Sequence, residues 1–155
     1  FIDNNKNFIL NVVGEGEELQ NLKKFCHYNG LKNVVNFYGQ IGHEELRDIY
    51  RSTDFVIQSP MSEGFGKVPI ESFVHGAIPI LSNVGISNKI TAYGKRGLCF
   101  ELDGKHKTIF DIVANLLHNE ELRIEMINSG YHYVKNISLE SWVSIIDLHL
   151  KKYYL

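Results

Sequence analysis

Five short apolar runs, separated by longer segments of helical period, constrain this chain more than any other feature. FILNVV (8–13), VVNFY (34–38), DFVIQ (54–58), IPILS (78–82) and GLCFE (97–101) are rich in β-branched and aromatic residues and are bounded by Gly, Pro, Asn or Asp, the pattern of strands. Their near-continuous apolar character, without strict alternation, is what strands covered on both faces show. Between them Glu17 to Tyr28 carries Leu19, Leu22 and Phe25, Glu44 to Arg51 carries Leu46, Ile49 and Tyr50, and Pro69 to His75 has room for a crossover helix. Strand, helix, strand repeats predict an α/β fold, a doubly wound parallel sheet with helices on both faces. After Glu101 the period changes. Lys107 to His118, Glu120 to Val134 and Leu139 to Leu150 each place apolar residues on one stripe, predicting three closing helices. No repeat, low-complexity tract or linker interrupts the sequence, so residues 1–155 are expected to form one domain around one core.

Charge and cysteine usage narrow the function. Sixteen Lys+Arg against eighteen Asp+Glu leave a formal charge of -2, which removes the basic field that nucleic acid would require. Cys26 and Cys99 stand without a CxxC pair, as expected of buried, inert thiols in a reducing compartment. No apolar run approaches the ~20 residues of a membrane span, and FIDNNKNF has no basic stretch followed by an apolar core. Seven histidines are scattered with no HExxH and no i, i+4 pair, so no metal site is expected.

The stretch SEGFGKVPIES, following DFVIQ and Ser59-Pro60-Met61, falls at the carboxyl end of a predicted parallel strand, the edge where ligands collect in such sheets. Gly64 and Gly66 would permit backbone conformations closed to other residues, and Pro69 suits the first turn of the next helix. A helix N-terminus with Lys67 beside it favours a phosphate or diphosphate. Glu63 and Glu71, with seven residues between them, would accept from hydroxyl groups, and phosphate with polyhydroxyl means a nucleotide sugar. A second reading stands beside this one: Glu71 in a first helical turn is favoured by the dipole alone, and Glu63 is a surface charge of a loop. Gly14-Glu-Gly16 after the first strand and Gly39-Gln-Ile-Gly42 after the second are glycine turns over which a ligand could lie. Gly14 and Gly16 lack the third glycine of a dinucleotide fingerprint. His75-Gly76 reads as a helix end capped by glycine, and Lys95, Arg96 and His106 as solvated loop charges.

These residues carry a resemblance. VVGEGEELQNLKKF, then NVVNFYGQIGHEELRDIYRSTDFVIQSPMSEGFGKVPIESFVHGAIPILSNVGI, then GLCFELD resemble the C-terminal, donor-binding domain of retaining GT-B glycosyltransferases, often called family 4 or group 1, whose signature is the glutamate pair. The likeness runs nearly the whole chain. It implies that Glu63 contacts donor-sugar hydroxyls near the anomeric centre as the catalytic candidate. Gly64, Phe65 and Gly66 would line sugar and diphosphate, Lys67 and Val68 would offer amides to the phosphate, and Glu71 would bind the ribose. The base would rest near Phe37, Tyr38, Gly39 and Ile41, held largely by main-chain groups, with Gly14 and Gly16 as nearby wall. A UDP-sugar or GDP-sugar as donor, a glycan or lipid-linked acceptor, retention of anomeric configuration, no metal and no other cofactor follow from the resemblance. So does a cytoplasmic location, with peripheral association at the inner face of the plasma membrane left open. The alternative is a non-catalytic nucleotide- or sugar-binding module of doubly wound fold. A sugar-nucleotide epimerase or a phosphorylase shares the architecture without this glutamate spacing.

The chain also departs from that pattern. Relatives open this domain with a strand, a glycine-arginine turn and a lysine that grip the diphosphate, whereas FIDNNKNF resembles the end of the helix that follows. The expectation is a Rossmann-like sheet lacking its first strand-helix unit, without the acceptor-binding N-terminal domain and inactive alone. In that case further residues ahead of Phe1, a partner chain, or direct pairing of FILNVV with DFVIQ would close the sheet. Asn83-Val-Gly85-Ile86-Ser87 stands where relatives often carry two glycines, so different sugar or phosphate contacts are expected there.

Overall fold

A computed structural model of the chain describes residues 8–62, 66–103 and 107–137. The elements run β1 (Leu10–Val13), α1 (Leu19–Tyr28), β2 (Val35–Gly39), α2 (His43–Arg51), β3 (Phe55–Gln58), α3 (Lys67–Val74), β4 (Ile78–Ser82), α4 (Ser87–Ile90), β5 (Leu98–Phe100), α5 (Lys107–His118) and α6 (Glu120–Lys135). All five strands anticipated from the apolar runs form, and every pairing among them is parallel. The fold is α/β, as the alternation predicted. The segment from Leu139 to Leu150 lies outside the described residues. The chain divides into two compact units, Phe1–Ile49 and Tyr50–Leu155, rather than a single core.

In the first unit β1 and β2 pair from Leu10 opposite Val35 to Val13 opposite Gly39, with an irregularity between Val12 and Val13. Parallel neighbours need a crossover, and α1 supplies it. Its end is written in Tyr28-Asn29-Gly30. Gly30 takes φ +69, its amide bonds the His27 carbonyl, and the Leu31 amide bonds the Cys26 carbonyl at 2.8 Å. This double bond around a left-handed glycine closes the helix. The unit buries little: Val35 is its one buried residue among those described, and α1 has none.

The second unit carries the core. Its sheet order is β3-β4-β5, and the central strand β4 buries all five residues. Ile78, Leu116 and Met126 form the cluster, with Phe55, Leu98, Ile112, Leu122 and Ile127 packed on it. Proline is rarely tolerated in a central strand, yet Pro79 sits there for a visible reason. The Ile78 amide donates to Asp54, so the next nitrogen faces β5, whose ladder begins only at Ile80 opposite Leu98. A Cβ on Gly97 would stand 2.7 Å from the Pro79 carbonyl oxygen. Likewise α6 approaches α3 at Gly130, where a Cβ would meet Phe73 at 2.5 Å. The ladders of the described residues pair β1 with β2 and β3 with β4; a direct pairing of 8–13 with 54–58 is not among them.

Candidate functional site

The glutamate-flanked loop leaves β3 after Gln58 and enters α3 at Lys67; Glu63, Gly64 and Phe65 of that loop lie outside the described residues. Its start is fixed by Ser82, a fully buried residue whose hydroxyl donates to the Pro60 carbonyl at 2.7 Å. The loop thus begins tied to the carboxyl end of β4. Gly66 is the N-cap of α3 with φ -58 and ψ 128, a conformation open to any residue. The expectation that Gly66 serves a glycine-only backbone is therefore corrected. No side chain caps this helix start, and the first amides of a helix, here those of Lys67 and Val68, have no acceptor within it. Lys67 is exposed, and the Val68 carbonyl accepts from Ser72 Oγ at 2.7 Å.

Glu71 sits differently from the sequence expectation. The helix begins at Lys67, ahead of Pro69, so the first turn of α3 holds no acid and Glu71 lies in the second, where the dipole has faded. Its carboxylate is instead engaged by Tyr50 of α2, whose hydroxyl donates to Glu71 Oε2 at 3.1 Å. Tyr50 is 7% exposed, and its ring stacks on His75, with centroids 5.6 Å apart and planes 16° from parallel. Glu71 and His75 are four residues apart on α3 and share a face. Burial first, then the charge and hydrogen bond of Glu71, push the Tyr50 phenol well above its ordinary pKa. It remains a neutral donor at physiological pH.

In the first unit, the glycines at the carboxyl ends of β1 and β2 come together: the Gly14 amide donates to the Gly39 carbonyl at 2.8 Å, with φ +119 and +67. Gly16 has no such conformation and accepts from the Leu19 amide, opening α1. Phe37 and Tyr38 are successive strand residues, so their side chains leave opposite faces; Phe37 is half-buried and Tyr38 exposed. They cannot line one side of a base together. The Lys23 ammonium stands 5.8 Å from the Phe37 ring centroid. Half-buried Ile41 belongs to the turn that ends at Gly42, whose carbonyl accepts from Leu46 in α2.

Other residues resolve differently. Arg96 is no solvated loop charge: its guanidinium lies 3.8 Å from the centroid of the Tyr133 ring, and Nη2 donates to the Lys89 carbonyl. It ties the turn after α4, where Ala92, Tyr93 and Gly94 all take positive φ, to α6. Burial lowers its pKa. Cys26 and Cys99 are half-buried rather than buried. His106 lies outside the described residues. A cavity of about 310 Å³ opens at the amino ends of β3 and β4 beside Asp54, His75 and Ile78. That is the edge opposite the loop, and Arg123, which also lines it, donates to the Leu116 and Leu117 carbonyls of α5. Among the described residues no three His, Cys, Asp or Glu side chains gather as a metal site, and no helix is long and apolar enough to cross a membrane.

Sequence reasoning missed Tyr50 and His75. Tyr50 was visible only as one residue of an apolar stripe, although a buried tyrosine hydroxyl ordinarily requires a partner.

Known proteins share the fold and the family. An uncharacterized glycosyltransferase of Methanocaldococcus jannaschii is 26% identical over 136 residues, 88% of this chain and 38% of that protein. A D-inositol 3-phosphate glycosyltransferase of Paenarthrobacter aurescens is 30% identical over 131 residues, 79% of this chain and 32% of that protein. The chain thus spans about a third of the length of these relatives. The crystal structure of Anabaena HepE in complex with UDP superposes with a TM-score of 0.79 at 17% identity, covering 94% of this chain and 41% of that one, which shows a shared fold. Residues 2–133 match the family described as glycosyl transferases group 1, and the chain belongs to that family.

Proposed function

We propose that this chain is the donor-binding part of a retaining hexosyltransferase, which moves a sugar from a UDP-sugar or GDP-sugar to a glycan or lipid-linked acceptor held by an N-terminal domain. The observation that carries the proposal is the start of α3 at the carboxyl end of β3, with the Lys67 and Val68 amides ahead of a Glu71 carboxylate held by Tyr50. HepE has been crystallised with UDP and with UDP-glucose, which supports a nucleotide-sugar donor. In this reading the helix start and Lys67 stabilise the negative charge that develops on the leaving diphosphate. In the second unit Glu71 accepts from the ribose hydroxyls and Glu63 with Gly64, Phe65 and Gly66 orients the sugar; in the first unit the main chain from Phe37 to Ile41, with Gly14 and Gly16 as nearby wall, is the part offered to the base. The donor site needs no metal or other cofactor, and the enzyme works in the cytoplasm or at the inner face of the plasma membrane.

Calorimetry on the full-length protein with UDP- and GDP-sugars tests the reading. One of them should bind, and Glu71→Ala should weaken it about tenfold or more, the loss of two hydrogen bonds to a charged acceptor. Glu63→Gln should lower turnover far more than nucleotide diphosphate affinity, as an interaction realised in the transition state does. Binding without transfer to any acceptor would return the chain to the class of non-catalytic nucleotide-binding modules.

A further inference from the structure

We propose that Tyr50 is a positioning residue for Glu71, holding the carboxylate through its phenol so that the remaining acceptor positions are left for the two hydroxyls of a vicinal diol. The inference rests on the reading of Glu71 as the ribose-binding residue. Three features of the contact support it. The phenol donates to one carboxylate oxygen, Oε2, at 3.1 Å. The ring that carries the hydroxyl is buried and stacked on His75, so the donor itself has little freedom. Glu71 and His75 occupy one face of α3, so one helix face supplies both the acceptor and the surface that orients its donor.

A carboxylate offers about four acceptor positions, and Tyr50 fills one. A free glutamate is among the side chains with the most rotamer freedom to lose. Fixing it in the folded chain moves that cost from binding to folding, which raises affinity without adding a contact to the ligand. The plain alternative is a core tyrosine whose hydroxyl has found the nearest acceptor. The two differ in what the phenol does for a ligand that carries the diol and for one that does not.

The test is titration calorimetry of the full-length protein with UDP and GDP, each compared with its 2′,3′-dideoxy analogue, for the wild type, Tyr50→Phe, Glu71→Ala and the double variant. Tyr50→Phe keeps the ring and its stacking, and wild-type affinity for the dideoxy analogue shows the site is folded. The expected result is a loss of about five- to tenfold for the ribonucleotide, none for the dideoxy analogue, and a double variant no weaker than Glu71→Ala alone. Equal losses for both ligands, or no loss from Tyr50→Phe while Glu71→Ala weakens binding, would overturn the inference and leave the donor site standing. If Glu71→Ala changes nothing, or no nucleotide binds, the donor-site reading falls and this inference with it.

Discussion

Gly14 and Gly39 in the first unit and Gly97 and Gly130 in the second are the same residue answering different demands. A Cβ on Gly14 would touch nothing within 4 Å, but its φ of +119 is closed to other residues. Gly97 and Gly130 have no positive φ, and there a Cβ would collide with Pro79 and Phe73. The first pair shapes a chain path and the second lets two elements touch. The contrast extends to whole units: order in β1-α1-β2 comes from ladders, caps and turns, and order around β4 comes from burial. Regions held mainly by local hydrogen bonds open more readily than regions held by a packed core.

Leu116→Ala should mark the packed extreme. The side chain is fully buried in the cluster with Ile78 and Met126, and its removal should cost about 3 kcal/mol, read by chemical denaturation of the second unit. Gly130→Ala comes next, at about 2 kcal/mol of overpacking, because Phe73 is 2% exposed and stacked edge-on against Tyr133. A cost below 0.5 kcal/mol would mean that α6 shifts freely over α3.

A titration sharpens the comparison further. An acid whose folded pKa is raised holds its proton when the unfolded chain has lost it, so stability falls as pH rises above the unfolded value. For Tyr50 that value is 10.0. The contribution of Tyr50 to stability should therefore be level below pH 9 and drop by about 1 kcal/mol by pH 11, and Tyr50→Phe should remove that portion of the alkaline loss. An identical alkaline profile in the variant would show that burial of the phenol contributes nothing. In the first unit no substitution should match the cost of Leu116→Ala. Gly14→Ala should cost about 1 to 2 kcal/mol through backbone strain. Phe25→Ala, at a residue 59% exposed on a helix without buried residues, should cost under about 0.5 kcal/mol. Hydrogen exchange resolves the two units separately, and α1 amides protected as strongly as those of β4 would erase the distinction.

Much of the fold was legible in residue pattern. The runs ending in Val13, Tyr38, Gln58, Ser82 and Glu101 mark strands within a residue or two, because β-branched and aromatic runs bounded by turn residues favour the extended chain; the burial on both faces expected of all five holds only for β4. His75-Gly76 ends α3 as read: Gly76 takes φ +77, and the Ala77 amide bonds the Ser72 carbonyl at 2.9 Å. The helix Ser87–Ile90 escaped because four residues show no period. Arg96 was misread because its partners, Lys89, Ile90 and Tyr133, are brought to it only by folding.

The sequence by itself determined the order and type of every element except α4, the glycine that ends α3 and the glutamate spacing that carries the family resemblance, since these depend on neighbours within one or two turns of chain. Tertiary structure decided the surroundings of Glu71. A dipole argument from sequence put it in a first helical turn, and the structure put it in the second, with its carboxylate on the hydroxyl of Tyr50, 21 residues away on another helix. No local pattern encodes that contact, because a hydrogen bond between residues on different helices depends on how those helices pack, and packing is set by the core as a whole.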